Sequence, residues 1–270
     1  MKVAVTGASG LIGSALTASL RDSGSQVVTL VRRTPASAAE IAWDPLTPMG
    51  GLAPGALDGT DAVVHLAGAG IADHRWTGSY KEEIRSSRVR GTRALTGFLA
   101  AMDRPPAVLL SGSAIGWYGD TGSRDVDESA PAGTGFLAGV VRDWEEAAGP
   151  ARQAGIRVAT LRTGIVLSRH GGVLARLLLP FRLGLGARLG AGTQYMSWVT
   201  LADWVRAARF LLDDRDVSGP VNLTSPNPAT NADFTAALAG VLHRPALLSI
   251  PSPVLSVALG EVTSDLMTSA

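Results

Sequence analysis

The sequence predicts an α/β protein built on a doubly wound parallel sheet, with a second, smaller region toward the C-terminus. Two observations support this prediction. Short β-branched runs alternate with segments of helical apolar spacing over residues 1–165, which is the pattern of a parallel sheet covered by helices on both faces. After about Leu167 the chain becomes rich in Gly, Pro and Leu and its periodicity weakens, so we place the smaller region there.

The predicted strands and helices follow one another in chain order. The first strand, Lys2 to Thr6, is a short apolar run, and the helix after it has Leu11, Ile12 and Ala15 at helical spacing. The remaining strands are apolar runs predicted at residues 26–33, 61–68, 106–113 and 156–162. The helices are predicted at residues 10–21 and 79–102, with a further helix that ends over residues 145–155.

Composition narrows the class of protein. Of the 270 residues, 46% are hydrophobic and 17% are charged, which argues against disorder. The formal net charge of +1 gives no reason to expect nucleic acid or an anionic membrane as a partner. The chain has no cysteine, which excludes disulfides and thiol nucleophiles. No apolar leader precedes the first strand and no apolar run is long enough to span a membrane, so we expect a cytoplasmic protein.

Three glycines, Gly7, Gly10 and Gly13, lie between the first strand and the first helix. In this setting Gly7 permits a tight turn, Gly10 lets a pyrophosphate approach the backbone, and Gly13 lets the helix pack on the sheet. The N–H groups and the positive end of the helix dipole favour phosphate. The motif therefore predicts a dinucleotide site, and the alternative is a tight strand–helix turn that binds nothing.

The end of the second strand indicates which dinucleotide binds. An NAD site usually has Asp or Glu there to bind the ribose 2′-hydroxyl, whereas this chain has Arg32 and Arg33 and no acid until Glu40. Two guanidinium groups suit a 2′-phosphate. The pair predicts NADP(H) as the cofactor, and the alternative is a solvated basic loop.

Several motifs together resemble a known superfamily: "TGASGLIG", "DAVVHLAG", "SGSAIGWYGD", "LRTGIVL" and "SWVTLADW". The chain is similar to the extended, epimerase-like branch of the short-chain dehydrogenases/reductases. "RWTGSYKEEIRSSRVRGTRAL" narrows the resemblance to its atypical epimerase-family proteins, and the motifs run from residue 1 to about 262. The resemblance implies a Rossmann-like NADP-binding domain over residues 1–165, joined by 198–222, and a substrate-binding region over 166–197 and 223–270. It also implies a further helix-rich tail in the relatives.

The resemblance also implies which residues bind the cofactor. The expected contacts are Gly7, Ser9, Gly10, Leu11, Ile12 and Gly13 at the pyrophosphate, Arg32 and Arg33 at the 2′-phosphate, Leu66, Ala67 and Gly68 on the adenine-ribose side, Glu83 and Arg88 on the long helix, and Leu161 on the nicotinamide side. Arg88 would reach a cofactor phosphate. The alternative for Arg88 is a helix-surface arginine paired with Glu83 or Glu82.

The catalytic residues differ from those usual in the superfamily, which are a Ser, a Tyr and a Lys, the last two spaced Tyr-x-x-x-Lys. Ser113 is present and would polarise the reacting oxygen, but Phe136 and Val140 occupy the Tyr and Lys places. Neither can transfer a proton. Tyr118 follows Ser113 closely and is the best candidate to stand in, facing the mouth of the site. The alternative is that Tyr118 only packs against the substrate region.

Other polar residues carry weaker predictions. His65 lies inside an apolar strand and is expected to be a hydrogen-bonded core histidine, and no histidines show metal-ligand spacing. Glu145 is expected to pair with its helix neighbours or with solvent. Arginines and polar or aromatic residues from the end of the last predicted strand onward suit an anionic, partly planar ligand, or else pack in the core with a solvated basic edge: Arg162, Arg176, Arg182, Arg188, Gln194, Tyr195, Ser197 and Trp198.

The sequence thus predicts an NADP(H)-binding oxidoreductase or epimerase that acts on a small or nucleotide-linked substrate, as a monomer or homodimer. The alternative is a protein that binds NADP(H) without catalysis and serves as a sensor or scaffold. Loss of both Tyr and Lys favours the alternative, while the presence of Ser113 favours the enzyme.

Overall fold

The computed structural model describes residues 1–251, 253 and 254. The strands are, in chain order, β1 (Lys2–Thr6), β2 (Gln26–Val31), β3 (Glu40–Ala42), β4 (Ala62–His65), β5 (Val108–Ala114), β6 (Arg157–Thr163), β7 (Ile165–Leu167), β8 (Ala187–Leu189), β9 (Tyr195–Met196), β10 (Trp198–Thr200), β11 (Gly219–Leu223), β12 (Ala229–Thr230) and β13 (Leu248–Ile250). The helices are α1 (Leu11–Asp22), α2 (Gly78–Ala100), α3 (Phe136–Glu146), α4 (Gly149–Gln153), α5 (Gly172–Arg182), α6 (Leu201–Asp213) and α7 (Asn231–Leu242).

Seven strands form one central sheet in the order β11-β6-β5-β4-β1-β2-β3, and all of its pairs are parallel. The chain enters at β1, moves to one edge through β2 and β3, and then returns to β4 and moves to the other edge. The direction of winding therefore reverses between β1 and β4, and ligands of such sheets bind at the carboxyl ends of the strands beside this point. The predicted doubly wound parallel α/β fold is confirmed.

Helices cover both faces of the sheet. On one face the core contains Leu161 and Trp204 and is closed by α1 and α6. On the other face it contains Leu99 and Leu109 and is closed by α2 and α4. Because successive side chains of a strand point to opposite faces, the sheet residues of one face alternate along each strand with those of the other. This alternation decides which polar side chains share a face at the carboxyl ends of the strands.

The elements differ from the prediction at their ends. β2 ends at Val31 and β4 at His65, two and three residues before the predicted ends. The candidate cofactor residues that follow these strands therefore lie in loops. The helix predicted to end over residues 145–155 is two helices, α3 and α4, and it breaks after Glu146. The sequence does not predict β3, because a three-residue edge strand is too short to show a pattern of alternation.

The described residues also form three two-stranded sheets, β7 with β10, β9 with β12, and β8 with β13, of which the first packs on the core that α1 and α6 close. A Cβ atom placed at Gly172, where α5 begins, would lie 3.3 Å from a methyl carbon of Leu11, so α5 starts against the first turn of α1. The domain boundary at residue 165 stays a prediction. Residue 252 and residues 255–270 of the predicted substrate region lie outside the described residues.

Candidate functional site

Two of the three motif glycines are required by the fold of the turn itself. Gly7 has φ +70°, and a Cβ atom there would lie 2.7 Å from the carbonyl carbon of Leu66. A Cβ atom at Gly13 would lie 2.2 Å from the carbonyl oxygen of Gly7. These two residues let the turn lie against the end of β4 and let α1 pack on the turn. Close packing inside the protein accounts for both of them.

Gly10 differs from the other two, because nothing within the described chain requires a glycine there. Its φ of −74° is one that any residue adopts, and a Cβ atom would meet only the Gly7 carbonyl oxygen, at 3.4 Å. Gly10 is exposed. A glycine at a position where the chain has room for a side chain is consistent with a ligand that occupies that space. A dinucleotide pyrophosphate lying on this turn fits that requirement.

The N-terminus of α1 provides the donors for such a ligand. Gly10 is the N-cap residue, and within the described part of the chain no side chain caps the helix there. The first turn contains no acidic residue, so nothing offsets the positive end of the helix dipole. Helix geometry leaves the N–H groups of Leu11, Ile12 and Gly13 without intrahelical acceptors. Ser9 is exposed beside them.

Arg32 and Arg33 follow β2 and are both exposed. Arg33 binds Glu40 through both terminal nitrogens, with Nη2–Oε1 at 2.6 Å and Nη1–Oε2 at 2.8 Å. These hydrogen bonds are the main cause that lowers the pKa of the Glu40 carboxyl to about 2. Glu40 is thus the acid that faces the predicted 2′-phosphate site, and the folding of β3 beside β2 brings it there.

Thr6 ties the ends of β1 and β4 together beside the glycine turn. Its hydroxyl oxygen accepts from the N–H of Leu66 at 3.1 Å and from the N–H of Ala67 at 3.2 Å. The same hydroxyl is bonded to His65 Nδ1 at 2.7 Å. Leu66 and Ala67 are therefore fixed, half-buried, next to Gly7.

Arg88 reaches the β4–α2 loop from the long helix. Its Nη1 donates to the carbonyl oxygen of Ala69 at 2.9 Å, and a Cβ atom at Gly68 would lie 3.4 Å from the Arg88 side chain. The guanidinium also lies over the Trp144 ring, 5.2 Å from its centroid. Burial lowers the pKa of Arg88 to about 10. Arg88 thus contacts backbone oxygens and the Trp144 ring. The alternative that Arg88 pairs with Glu83 or Glu82 is therefore wrong.

Ser113, Arg162 and Asn222 form a polar row at the carboxyl end of the sheet. Ser113 of β5 is the register partner of Arg162 of β6, and Arg162 is the register partner of Asn222 of β11. Register partners on neighbouring strands point to the same face. This face is the one that carries α3, whose Glu145 accepts a hydrogen bond from Ser113 Oγ at 2.6 Å.

Arg162 is the centre of this network. It forms a bidentate ion pair with Glu145, with Nε–Oε1 at 2.9 Å and Nη2–Oε2 at 3.1 Å. Its Nη1 donates to Tyr118 Oη at 3.0 Å, and its guanidinium lies 4.0 Å from the centroid of the Trp117 ring. Burial alone would lower the pKa of Arg162, but the hydrogen bonds to Glu145 and Tyr118 outweigh it and raise the pKa.

The prediction for Glu145 is wrong, because Glu145 pairs with Arg162 of β6 rather than with its helix neighbours or solvent. Arg162 is 2% exposed, which agrees with the alternative of core packing. Tyr118 is buried rather than exposed at the mouth of the site, and its hydroxyl donates to Asn222 Oδ1 at 2.7 Å. The network nevertheless joins both candidate catalytic residues, Ser113 and Tyr118, through Arg162.

Phe136 and Val140 occupy the first two turns of α3. The Phe136 ring packs edge-on against Trp76 at 5.1 Å between centroids, and Lys81 Nζ lies 5.3 Å from the Phe136 ring centroid. Val140 is 1% exposed in an apolar cluster with Trp76 and Ile84. An apolar environment therefore accompanies the missing Tyr and Lys, and a lysine in place of Val140 would be buried without water.

His65 and Leu161 are core residues. His65 is fully buried between the hydroxyls of Thr6 and Thr92, at 2.7 and 3.0 Å, and burial lowers its pKa to about 4. This agrees with the prediction of a hydrogen-bonded core histidine. Leu161 has no exposed surface and packs on the α1 and α6 face. The structure therefore does not support a place for the Leu161 side chain against the nicotinamide.

Comparison with known proteins agrees with this geometry. The model of the NAD dependent epimerase/dehydratase family matches residues 3–223. The chain belongs to this family. Epimerase family protein Mb2239 of Mycobacterium bovis (strain ATCC BAA-935 / AF2122/97) is 49% identical over 263 residues, which cover 97% of this chain and 86% of that protein.

Two solved structures are similar to this epimerase-family chain. Human epimerase family protein SDR39U1 (isoform 2) with NADPH has a TM-score of 0.90 and 31% identity, and covers 99% of this chain and 88% of its own. The nucleoside-diphosphate sugar epimerase from Corynebacterium glutamicum has a TM-score of 0.79 and 37% identity over 98% of this chain, which spans 57% of that protein. These likenesses confirm the predicted resemblance and the Rossmann-like fold.

The arginines that the sequence grouped as one ligand surface are separated in the epimerase-family fold. Arg162 is buried beneath the carboxyl ends of the strands, whereas Arg176, Arg182 and Arg188 are exposed. Arg176 lies 3.8 Å from Asp73 of the β4–α2 loop and links α5 to that loop. The four residues therefore do not form a single anion site.

Two other kinds of site are not found in the described part of the chain. No three His, Cys, Asp or Glu side chains there are grouped as metal ligands would be. Among the helices of that part, none is long and apolar enough to cross a membrane. Glu83 is exposed on α2, and its predicted contact with the cofactor stays a prediction.

Proposed function

We propose that the chain is an NADP(H)-binding oxidoreductase of the epimerase type, acting on a small or nucleotide-linked substrate. The main support for the cofactor is Gly10, the N-cap of α1, where no described side chain caps the helix and nothing in the described chain requires a glycine. The similar human protein was solved with NADPH, which supports NADP(H) over NAD(H). The arginines after β2 support the same choice.

The residues that would hold the cofactor surround the carboxyl ends of β1, β2 and β4. The pyrophosphate would lie on the glycine turn and the first turn of α1, and the 2′-phosphate beside Arg32 and Arg33. The adenine-ribose side would meet Leu66, Ala67 and Gly68. Glu83 and Arg88 would approach from α2.

When bound, the nicotinamide supplies or accepts the hydride. Proton transfer then falls to the side chains of this chain. Ser113 Oγ donates to Glu145 and Tyr118 Oη donates to Asn222, and each hydroxyl has one proton. Each must therefore turn from its present acceptor before it can donate to a substrate oxygen.

Arg162 would compensate for the missing lysine. It already donates to the oxygen of Tyr118 at 3.0 Å, so it can stay bonded to that oxygen as the phenol proton leaves. Its ion pair with Glu145 holds the guanidinium in place. We infer that Tyr118, held by Arg162 and Asn222, is the proton-transfer group, and that a water or a substrate group is the alternative donor.

Turnover assays test this function. Carbonyl compounds are incubated with the protein and NADPH, and nucleotide sugars with the protein and NADP⁺, because an epimerisation begins with hydride transfer from the sugar to the oxidised cofactor, which is regenerated when the hydride returns. Oxidation of NADPH and the appearance of epimers by chromatography are both followed. We expect turnover on at least one class. Tight NADPH binding with no turnover on either class would contradict the enzyme and support a sensor or scaffold, which the loss of the Tyr-x-x-x-Lys pair also favours.

A further inference from the structure

The pair formed by Arg33 and Glu40 uses the groups that a 2′-phosphate would need. Both terminal nitrogens of Arg33 are bonded to the carboxylate, and Nη1 also donates to the Thr34 carbonyl oxygen at 3.0 Å. The carboxylate is held from a second side, because the N–H of Ala36 donates to Glu40 Oε2 at 2.6 Å. The planar fork of Arg33 is the face that binds phosphate in a bidentate manner.

The two residues differ in exposure. The Arg33 side chain is 59% exposed and the Glu40 side chain 17%, so the arginine faces solvent while the acid lies behind it. Glu40 begins the edge strand β3, where it is the register partner of Thr29 of β2. The strand fixes the carboxylate, and a phosphate that reaches Arg33 would have this negative charge within contact distance.

We propose that Glu40 is a specificity-determining residue of the cofactor site that competes with the 2′-phosphate for Arg33. The inference rests on the proposed function. A phosphate must displace or share the contacts that Glu40 makes, and like charges at contact distance repel. A ribose 2′-hydroxyl is neutral and can donate to a carboxylate. Glu40 therefore narrows the difference in affinity between NADPH and NADH that the arginines create.

Glu40 could have the opposite role, in which it favours NADPH binding. If Glu40 only held Arg33 ready for the phosphate, removing its charge would free the guanidinium and weaken NADPH binding. The two roles thus predict changes of opposite sign for the same substitution. Glu40→Gln keeps the shape of the side chain, removes its charge and replaces one of the two acceptor oxygens with an NH₂ donor, so the bidentate contact with Arg33 is lost. The pair lies at the surface, so the variant is expected to fold.

The experiment measures the dissociation constants of NADPH and NADH by calorimetry. Glu40→Gln is expected to tighten NADPH by about fivefold and to leave NADH unchanged or weaker. Asp22→Asn, an exposed acid at the end of α1, is the matched control and should change neither constant. Arg33→Ala should weaken NADPH and leave NADH nearly unchanged.

An unchanged or weaker NADPH affinity in Glu40→Gln would overturn the proposal. A wild-type chain that binds neither cofactor would overturn the proposed function instead, and the unmutated protein shows that outcome by itself. Thermal melting of each variant checks that the affinity changes do not follow from unfolding.

Discussion

Arg162 of β6 and Glu145 of α3 form a bidentate ion pair whose side chains are 3% and 10% exposed. The pair also holds the two candidate catalytic residues, since Glu145 accepts from Ser113 and Arg162 donates to Tyr118. Removing one member of a buried pair leaves the other charge uncompensated in a medium of low dielectric constant. The pair is therefore expected to matter for stability and for the geometry of the site.

Glu145→Gln is expected to lower the free energy of unfolding by about 3–5 kcal/mol, because Arg162 stays buried without its counter-ion. Chemical denaturation measures the change. Arg206→Gln is the matched control, because it breaks the surface pair with Asp203, whose side chains are 74% and 51% exposed. Exposed pairs contribute about 0–1 kcal/mol. If Glu145→Gln lowers the free energy of unfolding no more than Arg206→Gln does, the buried pair does not stabilise the protein in the way expected.

Ser113→Ala is expected to destabilise the protein by about 1.5–3 kcal/mol, because it removes a hydrogen bond donated to a carboxylate. Ser111→Ala gives the comparison on the same strand. Ser111 is fully buried and its hydroxyl has no hydrogen-bond partner among the described residues, so its removal should be nearly neutral or stabilising. Thermal or denaturant unfolding of the two variants measures the difference. Equal decreases in stability for the two variants would mean that the hydrogen bond from Ser113 to Glu145 does not stabilise the fold.

The sequence predicted the sheet and the glycine turn because local patterns encode them. Alternating apolar segments and the spacing of Gly7, Gly10 and Gly13 are visible in one stretch of chain. Arg162 and Glu145 lie 17 residues apart on a strand and a helix, and their meeting depends on strand register and helix packing. The position of Arg162 at the end of an apolar strand was nevertheless informative, because a buried arginine requires a partner of opposite charge.

Glu40 was missed for a related reason. The sequence shows an acid seven residues after Arg33, but not that a three-residue edge strand returns it to the arginine. Asn222 likewise joins Tyr118 from a strand that lies 104 residues further along the chain. Contacts of this kind depend on tertiary structure, which no local pattern in the sequence encodes.

His65 is expected to make stability depend on pH. Burial lowers its pKa from an ordinary 6.5 to about 4, so between these values the unfolded chain binds a proton that the folded chain does not. The contribution of His65 is complete above pH 6.5 and is lost as the pH falls toward 4, a change of roughly 3 kcal/mol. Unfolding free energies of wild type and His65→Gln, measured across this range, are compared. Parallel curves for the two proteins would contradict the expectation.

Tyr118→Phe tests the proton-transfer role. Loss of a general acid or base typically lowers turnover by about 10²–10⁴-fold, and we expect a decrease in this range on the substrate identified. NADPH affinity should stay unchanged, because the proposed cofactor contacts lie at the carboxyl ends of β1, β2 and β4 and on α2, whereas Tyr118 follows β5. The variant also loses the hydrogen bond to Asn222, so its stability is measured in parallel. Turnover equal to that of wild type would remove Tyr118 from the mechanism.

Calorimetric titration of NADPH into three proteins tests whether a dinucleotide phosphate lies on the backbone at Gly10. Wild type should bind NADPH, and Gly10→Val should abolish binding without unfolding, because the added methyl groups would occupy the place of the pyrophosphate. Gly78→Val changes an exposed glycine with open space around it at the start of α2, and it should bind as wild type does. A Gly10→Val protein that binds NADPH with wild-type affinity would show that the pyrophosphate does not lie at Gly10 and that the glycine turn is structural only.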